Sequence, residues 1–146
     1  MLTRLIFTFV LVGICVVIHT IGMAALTGWL LRWRRRIERH SNLTTSSLVL
    51  IMVFAVVIFL HLVETTIWAV FYFWRALFLD FETAMYFSLK TYTTVGYGDV
   101  VLPERWRLLG GIEGLSGVLL CGLSTAFIFA IVNALFQIHI AEQTKH

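Results

Sequence analysis

The sequence predicts an all-α membrane fold: three transmembrane helices plus one short helix that enters the membrane and turns back. Three observations predict it. Hydrophobic residues make up 60% of the 146 residues and charged ones only 13%, far less charge than a water-exposed domain carries. Leu5–Leu31, His40–Val63 and Gly114–Ala141 carry no formal charge, and each exceeds the roughly 20 residues needed to cross the hydrocarbon core. Between the second and third stretch lies "DFETAMYFSLKTYT" (Asp80–Thr93), a helix-forming segment too short to span, followed at once by a glycine-containing turn.

The first segment is expected to stay in the mature chain. Its apolar run is about twice the length of a signal-peptide core, and no small-x-small cleavage site follows. "RWRRRIERH" (Arg32–His40) then holds five of the eleven basic residues. Short Arg-rich loops remain in the cytoplasm, so the N-terminus is expected outside and the C-terminus cytoplasmic, in the inner (plasma) membrane. Arg32, Arg34, Arg35, Arg36 and Arg39 are expected to meet anionic lipid headgroups. The segment is too compact for a voltage sensor, and a nucleic-acid partner is not expected.

The second helix is expected to continue past Glu64 to about Trp74. Asp80 is placed to cap the short helix, with Glu82 and Thr83 in its first turn. The chain then turns at Thr94–Gly98 and returns. Non-helical backbone at membrane depth must pair its carbonyls with protein or with a watery path. Cations are natural partners for "TVGYG". Aiming successive carbonyls at one axis needs backbone angles that Cβ-bearing residues resist, and Gly96 and Gly98 relieve that cost. Val95 and Tyr97 are then expected to point away and pack against the short helix. The C-terminus of that helix, near Thr93, adds the negative end of its macrodipole.

"TTVGYGD" (Thr93–Asp99) resembles the potassium-channel signature, and "YFSLKTYTTVGYGD" (Tyr86–Asp99) is similar to the pore helix and filter of simple bacterial and tandem-pore potassium channels. The resemblance implies an outer helix, pore helix, selectivity filter and inner helix over residues 48–140, four chains around one axis, and passive conduction of K⁺ as permeant ion. It implies no enzyme activity and no cofactor. Potassium is expected at Thr94, Val95, Gly96 and Tyr97, with Gly98 completing the filter. Residues 1–31 form an extra N-terminal helix, 32–47 a cytoplasmic Arg-rich loop and 141–146 a short cytoplasmic tail. About five residues follow the third helix, so no ligand-binding domain is expected there. Two other readings stay open: a weakly selective cation channel, and a non-conducting scaffold or regulatory subunit that keeps the pore fold.

One position departs from the best-studied simple relative. That relative has glutamate four residues before the signature threonine, and many others have an apolar residue there, where this chain has Lys90. A Lys90–Asp99 salt bridge is expected to replace the usual acid pair, and Tyr86 to stand in for a tryptophan that holds the aspartate. Glu64 and Glu113 are expected to join Lys90 and Asp99 in one polar cluster supporting the filter, with Arg75, Arg105 or Arg107 as further partners. Such crowding of carboxylates would raise at least one of their pKa values and suggests an influence of outside pH. Gly114, Gly117 and Gly122 on the third helix read either as close packing or as a gating hinge, the family hinge falling near Gly117. Ser124 and Thr125 either line the pore or bond back to their own helix. His61 shares a face with Glu64. His19 is expected to hydrogen-bond between helices. Metal binding by His19 and His61 is not expected, because their estimated depths differ. Cys15 and Cys121 read as small apolar residues. Trp29 and Trp33 at one interface, and Trp68, Trp74 and Trp106 at the other, form aromatic belts.

Overall fold

The computed structural model describes residues 2–39 and 43–143, with side chains at 34–39, 139, 141–143 left aside. Four helices follow in order: α1 (Leu2–Arg39), α2 (Leu43–Trp74), α3 (Phe81–Tyr92) and α4 (Arg107–Gln143), the last preceded by a 3₁₀ turn at Glu104–Trp106. No strand occurs among the described residues. Leu2–Trp33, Leu43–Trp74 and Glu104–Ile138 are long and apolar enough to cross a membrane. The protein is therefore a multi-pass membrane protein of the expected all-helical class.

One expected boundary is corrected. The Arg-rich segment is not a loop over 32–47: α1 runs through Arg39 and α2 starts at Leu43. Arginine is a strong helix former, and no Gly or Pro lies between Leu30 and Leu43, so charge ends the membrane span without ending the helix. Likewise α4 starts before the uncharged run, at Arg107, and continues to Gln143, two residues beyond it. The lipid partners expected for Arg34, Arg35, Arg36 and Arg39 concern side chains outside the described residues, whereas Arg32 is exposed.

Helix α1 presents one stripe of Thr8, Leu11, Cys15, His19, Met23 and Leu26, buried at three- and four-residue spacing. The stripe lies against α2 and α4. Helices α1 and α2 run antiparallel: Leu26 shares a cluster with Val49 and Val53, Met23 with Val57 and Leu60, and His19 reaches Glu64. At Gly22 an added Cβ would meet the Leu60 side chain at 2.5 Å, so the missing side chain sets how closely the two helices approach. The opposite faces expose large apolar side chains such as Phe9, Ile51, Phe59, Leu119 and Phe129, as lipid or neighbouring protein requires.

Helix α3 is wedged between α2 and α4. Asp80 caps it as expected, its carboxylate accepting from the Thr83 amide at 2.7 Å and from the Thr83 hydroxyl at 2.9 Å. Trp68 does not belong to an interfacial belt. It is fully buried and packs against Tyr72 with ring centroids 6.0 Å apart, because it falls on the inward stripe of α2. Trp106 lies between two guanidinium groups, Arg4 at 5.1 Å and Arg75 at 5.3 Å from its ring centroid.

Candidate functional site

The turn after α3 carries an alternating backbone. Thr94, Gly96 and Gly98 have φ of 59°, 49° and 79°, while Val95 and Tyr97 between them are not in the positive-φ region. Alternation of left- and right-handed residues turns successive carbonyls to one side of the chain, the arrangement that a row of cation-coordinating oxygens needs. Glycine adopts these angles freely at two of the three positions. Thr94 does not, and a non-glycine residue held there costs about 1 kcal/mol. Its amide donates to the Thr91 carbonyl at 3.0 Å, and the Gly96 amide reaches the Lys90 carbonyl at 3.3 Å, so the foot of the turn is tied to α3.

The side chains of the turn do not pack as expected. Val95 and Tyr97 stand 51% and 74% exposed, with the Lys90 ammonium of α3 5.4 Å from the Tyr97 ring centroid. The inward face of α3 is occupied by Ala84, Phe87, Ser88 and Tyr92, which are buried.

The expected single polar cluster resolves into three among the described residues. Behind the turn, the Lys90 ammonium donates to Asp99, and the Tyr86 hydroxyl donates to the other Asp99 oxygen at 2.8 Å. The ammonium also lies 4.1 Å from the Tyr86 ring centroid. Hydrogen bonds from Lys90, then Tyr86, hold the Asp99 carboxyl down at about 2. Burial opposes the Lys90 charge, but the bonds to Asp99 and Tyr86 outweigh it and raise the ammonium above its ordinary range. A carboxyl with a depressed pKa contributes stability that is complete above its ordinary value near 3.8 and lost as pH falls through about 2. The pair is therefore expected to stay intact at neutral and mildly acidic pH. An NMR titration of the Asp99 carboxyl carbon checks this, and Lys90→Met should move its midpoint up toward 3.8.

Glu113 is elsewhere. It is fully buried, accepting from the Tyr72 hydroxyl at 2.7 Å and from the Ser88 hydroxyl. Glu64 forms the third group. His19 Nδ1 lies 2.8 Å from one carboxylate oxygen and His61 Nδ1 lies 3.0 Å from the other, which also accepts from the Tyr92 hydroxyl. The separation follows from helical spacing on α3. Tyr86 and Lys90 share the face toward Asp99, whereas Ser88 and Tyr92 share the opposite face toward the two glutamates. Only Asp99 meets Lys90, so three carboxylates do not crowd one lysine. The arginines do not join either: Arg75 stacks on Trp74 and Trp106, Arg107 reaches the Leu102 carbonyl at 3.4 Å, and Arg105 accepts from Arg4 through its carbonyl.

The depth estimate for the histidines is also corrected. The antiparallel register brings the His19 and His61 rings to 5.3 Å between centroids. The uncharged runs were a poor measure of depth, because α1 continues past its run through Arg39. His19, His61 and Glu64 have ligand atoms within 4.8 Å of one another. The Ser124 hydroxyl meets both imidazoles, whereas Thr125 bonds back to its own helix, to the Cys121 carbonyl at 2.8 Å.

Gly114 and Gly117 are close-packing positions. A Cβ would lie 3.1 Å from the Thr91 carbonyl oxygen at Gly114, and 2.1 Å from the Tyr92 carbonyl oxygen at Gly117. The end of α3 thus rests on bare backbone of α4. Gly122 meets nothing within 4 Å, and α4 continues unbroken past all three.

A family model described as ion channel matches residues 46–134. The chain belongs to the ion channel family. The match begins early in α2, takes in α3 and the alternating turn, and ends within α4, so α1 lies outside the ion-channel region. The chain is also 42% identical over 67 residues to a protein named calcium-gated potassium channel TvoK from Thermoplasma volcanium, which covers 45% of this chain. The aligned part is 18% of that relative, so the chain spans less than a fifth of its length in the match. No solved structure matches.

Ser88, Tyr92 and Tyr72 are site residues that sequence reasoning missed. The four-residue spacing of Ser88 and Tyr92 on a short helix flanked by glutamate-bearing helices was a usable signal. Nothing local linked Tyr72 to Glu113.

Proposed function

We propose that the protein conducts potassium ions passively, through a pore made by four copies of the chain, and that Thr94, Val95, Gly96, Tyr97 and Gly98 of each copy form the selectivity filter. The observation that carries this reading is the alternation of positive φ at Thr94, Gly96 and Gly98. A stack of carbonyls replaces the water that K⁺ sheds on entry. The C-terminal end of α3, immediately before the filter, contributes partial negative charge beneath it. The relative named as a potassium channel supports the choice of ion.

Exposed Val95 and Tyr97 support assembly. A single chain leaves two large side chains bare beside its most specialised backbone, and neighbouring copies around a fourfold axis would cover them. Tyr86, Lys90 and Asp99 then hold the outer end of the filter, while Glu113 and Glu64 fix α3 from behind. Gly117 serves as the rest on which α3 sits, with Gly114 beside it, and Gly122 is the one of the three free of that contact. Arg32 and the arginines after it place that end of α1 at an anionic leaflet, which puts the N-terminus outside and the C-terminus in the cytoplasm of the plasma membrane.

The test is ion flux into liposomes containing the purified protein, with potassium and sodium compared. Selective potassium flux is expected, and it should be lost in Gly96→Ala, whose side chain is strained at φ of 49°. Equal flux of both ions would mark a weakly selective pore, and no flux a scaffold. Normal selectivity in Gly96→Ala would remove the filter assignment.

A further inference from the structure

We propose that His19, His61 and Glu64 form a binding site for one transition-metal dication with zinc's ligand preferences, set where α1 meets α2 at the foot of α3. Their ligand atoms lie within 4.8 Å of one another, and His19 and Glu64 are fully buried. His61 keeps 18% of its side chain exposed, which supplies an edge for entry. Metal sites in helical bundles are built this way, from a carboxylate and a histidine three residues apart on one helix and further ligands on a facing helix. Two imidazoles and a carboxylate are a zinc donor set. Calcium and magnesium ask for six or more oxygens, which this cluster does not offer.

Ring orientation carries the argument further. Both Nδ1 atoms face the Glu64 carboxylate, at 2.8 and 3.0 Å, and both Nε2 atoms face one hydroxyl, Ser124 Oγ, at 3.2 Å from His19 and 3.1 Å from His61. Hydrogen counting then separates two states. With an ionised carboxylate and neutral rings, both Nδ1 atoms carry the hydrogen and donate to Glu64. Both Nε2 atoms are then acceptors, and Ser124 has one proton for the two. One nitrogen is left short unless His61 takes the other tautomer, its Nδ1 accepting from the Tyr92 hydroxyl, or the cluster takes up an extra proton. With a dication on both Nδ1 atoms, each Nε2 carries a hydrogen and donates, and the Ser124 oxygen has two lone pairs to receive them. The outer hydroxyl thus matches the metal-bound tautomer of both rings, as supporting residues behind metal-binding histidines do.

Tyr92 stands beside the three ligands. Its hydroxyl lies 3.0 Å from His61 Nδ1 and donates to Glu64. Tetrahedral bonds of about 2.05 Å set ligand atoms about 3.3 Å apart, so ligand atoms that lie within 4.8 Å of one another have to close around the ion. A dication and one carboxylate leave a single net positive charge. It falls at the C-terminal end of α3, which finishes at Tyr92 and carries the negative end of that helix's dipole.

The experiment uses the full-length untagged protein in detergent, stripped with chelator, and Co²⁺ as probe. Visible absorption of tetrahedral strength is expected to rise to a plateau at one Co²⁺ per chain and to be displaced by Zn²⁺. His19→Gln and Glu64→Gln should abolish the plateau. Ser124→Ala, which leaves all three ligands, should keep it with roughly 10-fold weaker affinity. The proposal is overturned if the wild-type chain takes up no stoichiometric Co²⁺ or Zn²⁺, the outcome expected of a cluster that holds a proton instead. It is overturned equally if His19→Gln folds and binds as tightly as wild type.

Discussion

Gly117→Ala is expected to abolish potassium flux in liposomes and to lower the unfolding temperature of the purified protein. A methyl group there would come within 2.1 Å of the Tyr92 carbonyl oxygen and 2.9 Å of its carbon. Those are backbone atoms at the end of α3, fixed by packing on α2 and by the Thr94 and Gly96 amides beyond. No side-chain rotation relieves the overlap, so α3 or α4 has to move. Overpacking of this kind costs about 1–3 kcal/mol in well-packed interiors. The functional loss should exceed the stability loss, because the displaced carbonyl stands two residues before Thr94. Gly122→Ala is the matched control: its Cβ meets nothing within 4 Å, and substitution in mid-helix removes a glycine penalty. It should fold at least as well as wild type. Unchanged flux and unfolding temperature in Gly117→Ala would mean that α3 does not rest on α4 in this way.

Glu113→Ala is expected to destabilise the protein by about 2–4 kcal/mol, read as a lower unfolding temperature in detergent. The change leaves the Tyr72 hydroxyl without its acceptor in a fully buried site and leaves Ser88 with only the Thr65 carbonyl, 2.8 Å away. A buried polar group left unsatisfied costs about 1–3 kcal/mol, and the cavity adds to it. Glu113→Gln keeps the volume and one acceptor oxygen, so it should lose less. Tyr72→Phe in the Glu113→Ala background should recover part of the loss by removing the orphaned hydroxyl. Equal stability of Glu113→Ala and wild type would show that the carboxylate does not bind these two hydroxyls.

The helices were legible because membrane spans announce themselves in composition, and the short helix because Asp80, Glu82 and Thr83 form a local start signal. The Lys90–Asp99 pair was legible too, since both residues flank one turn and the pore-helix spacing fixes their approach. What the sequence hid depends on register between distant helices. The uncharged stretch set the wrong end for α1, which runs on to Arg39, and the level of His19 relative to His61 was misjudged. Ser124 was read within its own helix, because hydroxyls on α-helices so often bond four residues back, as Thr125 does. The merging of Glu64, Glu113 and Lys90 into one cluster failed for a similar reason. Positions near one another along the membrane normal can still face opposite sides of α3. Val95 and Tyr97 are a different case: both stay largely exposed on the single chain, although Lys90 meets the Tyr97 ring.

Trp106 joins three parts of the molecule through a single ring: Arg4 from the first turn of α1, Arg75 just past α2, and its own position at the entry to α4. The additional helix is thereby tied to the ion-channel module near its first turn as well as along the stripe from Thr8 to Leu26, and an attachment spread along its length resists swivelling where a single clasp would not. Sideways drag on that helix from the surrounding bilayer would reach the entry to α4 through an indole face, a contact with no opposite charge for salt to screen.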